Sequence, residues 1–508
     1  MLLIKQETVK PVLKDRMVVK TKNLSLSKSS FIRGLQCHKF LYLYKHQPEL
    51  RDEISKAQQA IFKSGTEVGI YAQKLFPGGV EIPFDKGFIS KQLTLTKSEI
   101  DKGTKVLYEA AFIHDNVSVK VDILRKGKRG WELYEVKSST GGKNVYLNDV
   151  SVQYYVLKGT GLPVTKAFLV HINNKYLRKG EIEVKKLFKI VNVTEKVEDK
   201  QDFIKEELTK QKKMLKDDIP QIDIGKYCHD PYECDFQGHC WQHIPENSIF
   251  ELRRSGVNKF DLYKQGIVHL KDVPLDSLNH HQGIQAHASL KKKTIINKDK
   301  VKEFIDSLWY PLYFLDFESF DIAIPPYDGI RPYQKVPFQY SLDYLEKEGA
   351  KVCHYEYLAP PNTDPRKEII TRLIKEIPQD ACILAYNMSF EKSVLKQLAE
   401  WFPKYKGKID RIISNIRDLA APFSSKDYYH YKMNGSYSIK TVLPLLVPEL
   451  SYDNMEICDG GMASEAYLTI CQSADPSEIE RTRKALLEYC EQDTLGMVRI
   501  VEKLKKAC

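Results

Sequence analysis

Two carboxylates interrupt an apolar run late in the chain. The stretch PLYFLDFESFD, residues 311–321, has the composition of a buried strand, yet it contains Asp316 and Glu318. Side chains two residues apart in a strand project to the same face of the sheet. Buried negative charges are costly unless they are paired or bind metal. The pair therefore predicts either a solvated or salt-bridged edge strand, which is the commoner case for an isolated Asp-x-Glu, or part of a metal site.

Two later segments add polar residues at regular spacings. CILAYNMSFEKSVL places Asn387 and Glu391 four residues apart, where a strand pattern gives way to a helix pattern. In LLEYCEQDTLG, Tyr489 and Asp493 stand at i and i+4, so they are neighbours on one helix face. Such a pair could also be a surface hydrogen bond. Asp418, in IRDLAAP, could end a neighbouring strand or be merely structural.

In this order, the three motifs resemble those of the DEDDy group of 3′–5′ exonucleases, which have the ribonuclease H-like fold. The resemblance spans most of residues 310–500, and one position departs from it, because Glu391 stands where the family usually has Asp. It implies phosphodiester hydrolysis with two divalent ions, Mg²⁺ or Mn²⁺, which prefer carboxylate oxygens. Asn387 would shape the turn or contact the substrate.

The resemblance also implies a role for each acidic residue. Asp316 would bridge both metal ions, and Glu318 and Asp493 would complete the site around the nucleophilic water. Glu391 would support the second metal, and its extra methylene relative to Asp makes that placement differ from the family pattern. Tyr489 would orient the attacking water.

A second constellation lies in the first half of the chain. NVSVKVDILRKGKRGWELYEVK has two alternating arms around a basic, glycine-containing turn, which predicts a β-hairpin. Asp122 lies on one arm, while Glu135 and Lys137 alternate onto one face of the other. Glu-x-Lys alone is usually a solvated ion pair. With Asp122, it resembles the core of PD-(D/E)XK nucleases, which have the restriction-endonuclease-like fold, and in particular the RecB-like branch. The resemblance implies that Asp and Glu hold metal, that Lys polarises the phosphate or the water, and that Gln153 contacts substrate.

Two positions depart from the RecB-like pattern. The motif Q-x-x-x-Y would place a tyrosine where this chain has Leu157, so Tyr154 or Tyr155 could substitute for it. Gly69 aligns with the metal-binding histidine of that branch, and Glu67 could compensate. A nuclease without that ligand could be slow or use fewer metal ions.

Four cysteines suggest a cofactor site in the N-terminal region. C-x5-C-x5-C is compact and flanked by aromatic residues, and one further cysteine precedes the hairpin. The four residues are Cys37, Cys228, Cys234 and Cys240. One cysteine before a RecB-like core and three after it resembles the iron–sulfur members of that branch, which implies a 4Fe–4S cluster. Zinc is the alternative, although its sites favour shorter spacings, and His229 or His239 could replace a cysteine.

The pattern of elements predicts an α/β protein. Residues 1–245 would form the restriction-endonuclease-like (PD-(D/E)XK) region with the four cysteines, residues 246–300 a helical linker, and residues 301–508 the ribonuclease H-like exonuclease domain with a mixed sheet. The lysine-rich KKKTIINKDK would end the linker. KDYYHYKMNGSYSIK, residues 426–440, interleaves aromatic and basic residues; it would more often be a surface loop than a single-strand binding groove.

Composition narrows the class of protein. Hydrophobic residues make up 42% of the 508 residues, too many for a disordered chain, and the net charge of +11 suits a polyanionic partner without requiring one. MLLIKQETVKPVLKDR lacks the features of an export signal, and no apolar run is long enough to span a bilayer. We therefore expect a cytoplasmic protein with no membrane partner, and thiols rather than disulfides.

The chain as a whole resembles bacterial proteins of an uncharacterised family that join an iron–sulfur RecB-like region to a DEDDy-like exonuclease region. The first interpretation is a metal-dependent nuclease with two active sites, acting on DNA more than on RNA. In the second, only the C-terminal site is active and the N-terminal region binds DNA. In the third, the protein is a non-enzymatic nucleic-acid-binding scaffold. Strandedness, pathway and oligomeric state are not indicated by the sequence.

Overall fold

The computed structural model describes residues 24–83, 89–253 and 256–508. Residues 1–16, whose sequence lacks the features of an export signal, lie outside these ranges. Within them, no helix has the length and apolar character needed to cross a membrane. Two large mixed sheets with helices packed against them confirm the predicted α/β class.

Seven strands form the N-terminal sheet. They are β1 (Leu26–Ser27), β2 (Val80–Glu81), β3 (Val106–His114), β4 (Val117–Lys126), β5 (Trp131–Lys137), β6 (Val164–Ile172) and β7 (Phe188–Asn192). The order is β2-β3-β4-β5-β6-β7, with β1 beside β4. Strands β4 and β5 are antiparallel, which confirms the predicted hairpin, and β5 pairs in parallel with β6.

Nine helices accompany this sheet in the described part of the chain. They are α1 (Lys28–Gln36), α2 (His38–His46), α3 (Lys56–Gln73), α4 (Ile89–Asp101), α5 (Asn144–Gly159), α6 (Val184–Leu187), α7 (Thr194–Glu198), α8 (Gln201–Met214) and α9 (Gln237–Cys240). Helix α1 begins where the Ser27 side chain accepts a hydrogen bond from the backbone N–H of Ser30. Such a cap satisfies an otherwise unpaired N–H of the first turn and fixes where the helix starts.

Short elements connect the two halves. They are α10 (Lys259–Lys264), α11 (His280–Lys291), β8 (Ile295–Ile296) and α12 (Lys298–Asp306). Strand β8, within the lysine-rich stretch, pairs with β14 (Tyr428–Tyr429) from the C-terminal half. This stretch is therefore hydrogen-bonded to the C-terminal half.

Five strands form the C-terminal sheet. They are β9 (Leu312–Phe320), β10 (Val336–Leu345), β11 (Cys353–Leu358), β12 (Cys382–Ala385) and β13 (Ile416–Asp418). The order is β11-β10-β9-β12-β13. The first three strands are antiparallel neighbours, whereas β9, β12 and β13 run parallel, so the predicted mixed sheet is confirmed.

The helices of this half cover both faces of the sheet. They are α13 (Arg366–Glu376), α14 (Ser389–Trp401), α15 (Lys406–Asn415), α16 (Ala421–Ser424), α17 (Ile439–Leu446), α18 (Gly460–Ile470) and α19 (Pro476–Ala507). Helix α19 begins with Pro476 after an Asp475 cap, a combination that suits a first turn.

Alternation along β9 divides the C-terminal core into two layers. Tyr313, Leu315 and Phe317 pack with helices α13, α14 and α15, whereas Leu312 and Phe314 pack on the opposite face, under α19. Asp316 and Glu318 follow on that second face. The predicted strand therefore directs both carboxylates towards α19.

A proline-containing loop, residues 321–335, joins the two halves. Ala323 and Ile324 are buried in one cluster with residues of the N-terminal half, including Val68 on α3. Arg178 donates hydrogen bonds to two proline carbonyls of the loop, and the Tyr333 hydroxyl donates to the carbonyl of Ser138, just after β5. We call residues 321–335 the bridging loop.

Candidate active site

Strand β9 and helix α19 bring three carboxylates together. Asp316 and Glu318 stand on β9, and Asp493 stands in the middle of α19. One carboxylate oxygen from each lies within 4.8 Å of the other two. Across residues 24–83, 89–253 and 256–508, no other set of three His, Cys, Asp or Glu residues satisfies this distance. We call these three residues the C-terminal carboxylate group.

The group lies in a cavity of about 430 Å³. The cavity is also lined by three other residues that the sequence singled out: Asn387, Glu391 and Tyr489. Basic and aromatic side chains complete the lining, among them Lys440 and Phe390. The three motifs, which are far apart in the sequence, thus meet at one concave surface.

Burial and like charge dominate the electrostatics of the group. Burial, followed by the charge of Asp493, raises the pKa of Asp316 well above its usual range, and burial together with Asp316 does the same for Glu318. Burial raises the pKa of Asp493 to about 6, although a hydrogen bond from Tyr452 and the charge of Lys440 oppose that rise. Three crowded acids with raised pKa values are a site where added positive charge would be favourable.

Glu391 lines the same cavity but is not one of the three residues whose carboxylate oxygens lie within 4.8 Å of one another. It lies in the first turn of α14 and is only 1% exposed. Its Oε2 atom is buried and has no hydrogen-bond partner among the described residues. Burial, followed by the charge of Asp316, raises its pKa well above the usual range. A buried carboxylate oxygen without a donor is costly, so Glu391 also calls for a positive charge here.

Three neighbours of the group were not selected from the sequence for this role. The Tyr452 hydroxyl donates a hydrogen bond to Asp493 Oδ1, and the Sγ atom of Cys490 lies 3.4 Å from Asp316 Oδ2. Lys440 Nζ lies 5.1 Å from the ring centroid of Tyr489. Cys490 stands three residues before Asp493 on α19, so the helical period of the sequence could have identified it. Tyr452 lies in an irregular segment, where no periodic pattern indicates the direction of a side chain.

Asn387 and Asp418 both have a structural role at the end of β12. Asn387 has φ = 65°, a left-handed conformation that asparagine tolerates better than most residues. Its backbone N–H donates to Asp418 Oδ1 at 2.9 Å, as does that of Ala420. Asp418 ends β13, one of the two alternatives that the sequence left open, and it holds the turn from which Asn387 faces the cavity.

The N-terminal constellation is also assembled, but with ion pairs. Glu135 Oε1 lies 2.8 Å from Lys137 Nζ and 2.7 Å from Lys28 Nζ, while its Oε2 accepts a hydrogen bond from Gln153. Lys137 Nζ also lies 2.6 Å from Asp149 Oδ2. Lys28 and Asp149 were not selected from the sequence.

The two acids of the hairpin differ in pKa. Burial would raise the pKa of Glu135, but Lys137 and Lys28 lower it to about 2. Burial and the charge of Glu135 raise the pKa of Asp122 to about 7. Asp122 Oδ2 accepts a hydrogen bond from the backbone N–H of Val136 at 2.6 Å. The hairpin thus holds one stably ionised acid and one acid that titrates near neutrality.

The tyrosines that could replace the missing tyrosine of the RecB-like motif make other contacts. The Tyr154 hydroxyl donates to Glu198, and that of Tyr155 donates to Asp115. Leu157 is fully buried in the core. Gly69 borders open space, and Glu67 is exposed.

The four predicted cysteines line one small pocket. Cys37 follows α1, Cys228 and Cys234 lie in the loop before α9, and Cys240 ends α9. Within the described residues, no three of these Sγ atoms lie mutually within 4.8 Å. His229 instead lies 2.8 Å from Glu233, and neither His229 nor His239 lines the pocket.

Comparison with known families covers part of the chain. Residues 313–438 match a family model described as a domain of unknown function, DUF2779. The matched segment contains Asp316, Glu318 and Glu391, and it ends before Tyr489 and Asp493. No curated protein sequence matches the chain. The similarity to DUF2779 therefore includes part of the cavity and assigns it no activity.

Proposed function

We propose that this chain is a metal-dependent nuclease that hydrolyses phosphodiester bonds from 3′ ends through the C-terminal carboxylate group. The observation that carries the proposal is the meeting of Asp316, Glu318 and Asp493 within 4.8 Å in an open cavity. The net charge of +11 is compatible with a nucleic-acid substrate, and DNA is favoured over RNA by the resemblance alone.

The donor set fits Mg²⁺ or Mn²⁺. Both are hard cations that prefer oxygen ligands, and the group offers carboxylate oxygens whose crowding is unfavourable without a cation. Two such ions would supply an activated water and stabilise the leaving oxygen. Asp316, Glu318 and Asp493 would hold them, and the unpartnered oxygen of Glu391 would support the second ion.

Other residues would position water and substrate. Burial, together with the Asp493 charge, raises the pKa of Tyr489, so its phenol stays protonated and can donate a hydrogen bond to the attacking water. Asn387 faces the cavity from its turn and would contact substrate. Lys440 would add a positive charge beside the reacting phosphate.

The finer fold assignments are also part of the proposal. A ribonuclease H-like fold for residues 301–508 is supported by three antiparallel strands followed by two parallel ones. A restriction-endonuclease-like fold for residues 1–245 is supported by the hairpin, the parallel β5–β6 pair and helix α5 between them. Residues 246–300 would connect these regions.

The thiol pocket would hold a 4Fe–4S cluster. Four cysteines from two segments line it, which suits either a cluster or zinc. The long C-x5-C-x5-C spacing and the resemblance to iron–sulfur RecB-like nucleases favour the cluster, since zinc sites favour shorter spacings. A brown protein with iron and acid-labile sulfide is expected, and a colourless, zinc-loaded protein would contradict it.

Hydrolysis is assigned to the C-terminal group alone. Both oxygens of Glu135 already have partners, which favours the interpretation in which the N-terminal region binds DNA without cleaving it. In that case Asp122, Glu135 and Lys137 would have no direct part in hydrolysis.

End-labelled DNA and RNA, single- and double-stranded, test the proposal with Mg²⁺, Mn²⁺ or EDTA. We expect metal-dependent shortening from the 3′ end, lost in Asp316→Ala and retained in Lys137→Ala. Glu488→Gln, an exposed residue of α19, is the matched control and should behave as the wild type. Unchanged degradation in Asp316→Ala would refute the assignment of hydrolysis to the C-terminal group, and loss in Lys137→Ala would refute its restriction to that group. Absence of metal-dependent degradation of every substrate would leave only the scaffold interpretation.

A further inference from the structure

A lysine lies among the acidic residues of the N-terminal hairpin. Lys28 is the first residue of α1, and its Nζ lies 2.7 Å from Glu135 Oε1. The side chain is 24% exposed. Its backbone is held on both sides, because β1 pairs with β4 immediately before it and the Ser27 cap fixes the first turn of α1. The fold therefore fixes the backbone position from which the Lys28 side chain reaches Glu135.

Both oxygens of Glu135 already have partners, and Oε1 has two cations. Oε1 is shared by Lys28 and Lys137, and Oε2 accepts from Gln153. Mg²⁺ and Mn²⁺ need unblocked anionic oxygens at little more than 2 Å, and an ammonium group at hydrogen-bond distance occupies the same side of the carboxylate. A metal ion could bind Glu135 Oε1 only if Lys28 moved away.

Charge balance separates the two acidic sites. We call Asp122, Glu135 and Asp149 the N-terminal carboxylate group; Lys28 forms an ion pair with Glu135, and Lys137 forms ion pairs with Glu135 and Asp149. The C-terminal carboxylate group carries three acids within 4.8 Å; the charge of Lys440 lowers the pKa of each, but no lysine or arginine of the described residues forms an ion pair with them. The N-terminal group therefore has far less need of a metal ion.

We propose that Lys28 is a built-in cation at the place where the RecB-like resemblance implies a metal ion. The residues present do not fit that ion in this arrangement. The N-terminal carboxylate group instead fastens α1, the β4–β5 hairpin and α5 together. Lys28 excludes divalent metal, and its removal opens a metal site on Asp122 and Glu135. This inference does not depend on the nuclease activity of the C-terminal half.

Manganese binding measured by electron paramagnetic resonance tests the inference. The full chain carrying Asp316→Asn and Asp493→Asn serves as the background, so that the C-terminal group is weakened. We expect Lys28→Met in this background to gain one Mn²⁺ ion, with an affinity for the N-terminal group raised at least about tenfold, and Asp122→Asn to remove that ion again. A tenfold gain corresponds to ~1.4 kcal/mol.

Matched variants keep the test decisive. Lys210→Met removes an exposed lysine that also lies 2.8 Å from two carboxylates, and it should gain no ion. The background with Lys28 intact gives an independent measurement if Lys28→Met does not fold. Mn²⁺ bound to that background and lost on Asp122→Asn would overturn the inference, as would a folded Lys28→Met protein that gains no ion.

Discussion

The crowded charge of Glu318 leads to a prediction about stability. Glu318→Gln removes one negative charge at nearly constant shape, and no side chain of the described residues donates a hydrogen bond to Glu318. Two unit charges 4.8 Å apart repel by ~3.5 kcal/mol at an effective dielectric constant of ~20 and by ~0.9 kcal/mol in bulk water. We therefore expect the substitution to raise the free energy of unfolding by about 1–3 kcal/mol at pH 8 without metal.

The gain should depend on pH and on metal. The folded-state pKa of Glu318 is raised above its unfolded value, so its contribution to stability is present at low pH and is lost as the pH rises through that raised pKa. Glutamine does not ionise, so the advantage of the variant should shrink towards pH 5. Mn²⁺ at 100 times its Kd should stabilise the wild type by about 2.7 kcal/mol and the variant by less.

Urea unfolding followed by circular dichroism, at pH 5 and pH 8 with EDTA or Mn²⁺, measures these differences. Glu488→Gln is the control, since an exposed carboxylate on α19, the helix that faces Glu318, should change stability by less than about 0.5 kcal/mol. A Glu318→Gln protein that is less stable than the wild type at pH 8 in EDTA, or that Mn²⁺ stabilises equally, would refute the reasoning.

Three further substitutions give distinct readouts. Tyr452→Phe removes the hydroxyl that opposes the rise in the pKa of Asp493. The pH midpoint of Mn²⁺ binding, measured by electron paramagnetic resonance between pH 5 and pH 8, should therefore move upward. An unchanged midpoint would contradict this. Glu391→Gln should lower the number of bound Mn²⁺ ions by one while the remaining site persists, as counted by equilibrium dialysis; full occupancy would exclude its role. Tyr333→Phe should cost about 0.5–1.5 kcal/mol of stability in urea without changing Mn²⁺ binding, because it loses only the hydrogen bond to Ser138.

Periodicity predicted the elements of the C-terminal sheet well. The alternation around Asp316 and Glu318 identified β9 and the face that carries both acids, and the spacing of Tyr489 and Asp493 identified one face of α19. These are local properties, because side-chain direction follows from the geometry of a strand or helix. That the acids of β9 and α19 lie close to Glu391 is a tertiary contact, and it could be proposed only from the order of the motifs along the chain.

Contacts made by irregular or distant segments could not be predicted in this way. Lys28 is 107 residues from Glu135, and nothing in SLSKSS distinguishes it from an ordinary lysine in the first turn of a helix. Tyr452 lies in a segment without regular structure, where side-chain direction has no period. The burial of the bridging loop against the N-terminal half depends on tertiary packing, which has no local pattern in the sequence.

The bridging loop has a consequence for how this chain can be divided. Ala323 and Ile324 belong to the C-terminal half, yet they complete a core made mostly by the N-terminal half. Cutting the chain within residues 246–300 would leave an apolar patch on each fragment, and such patches promote aggregation. Neither half is then expected to fold as an independent domain in another protein unless polar residues replace the apolar ones that the cut exposes. Selection should keep the two halves together even where only one of them performs chemistry.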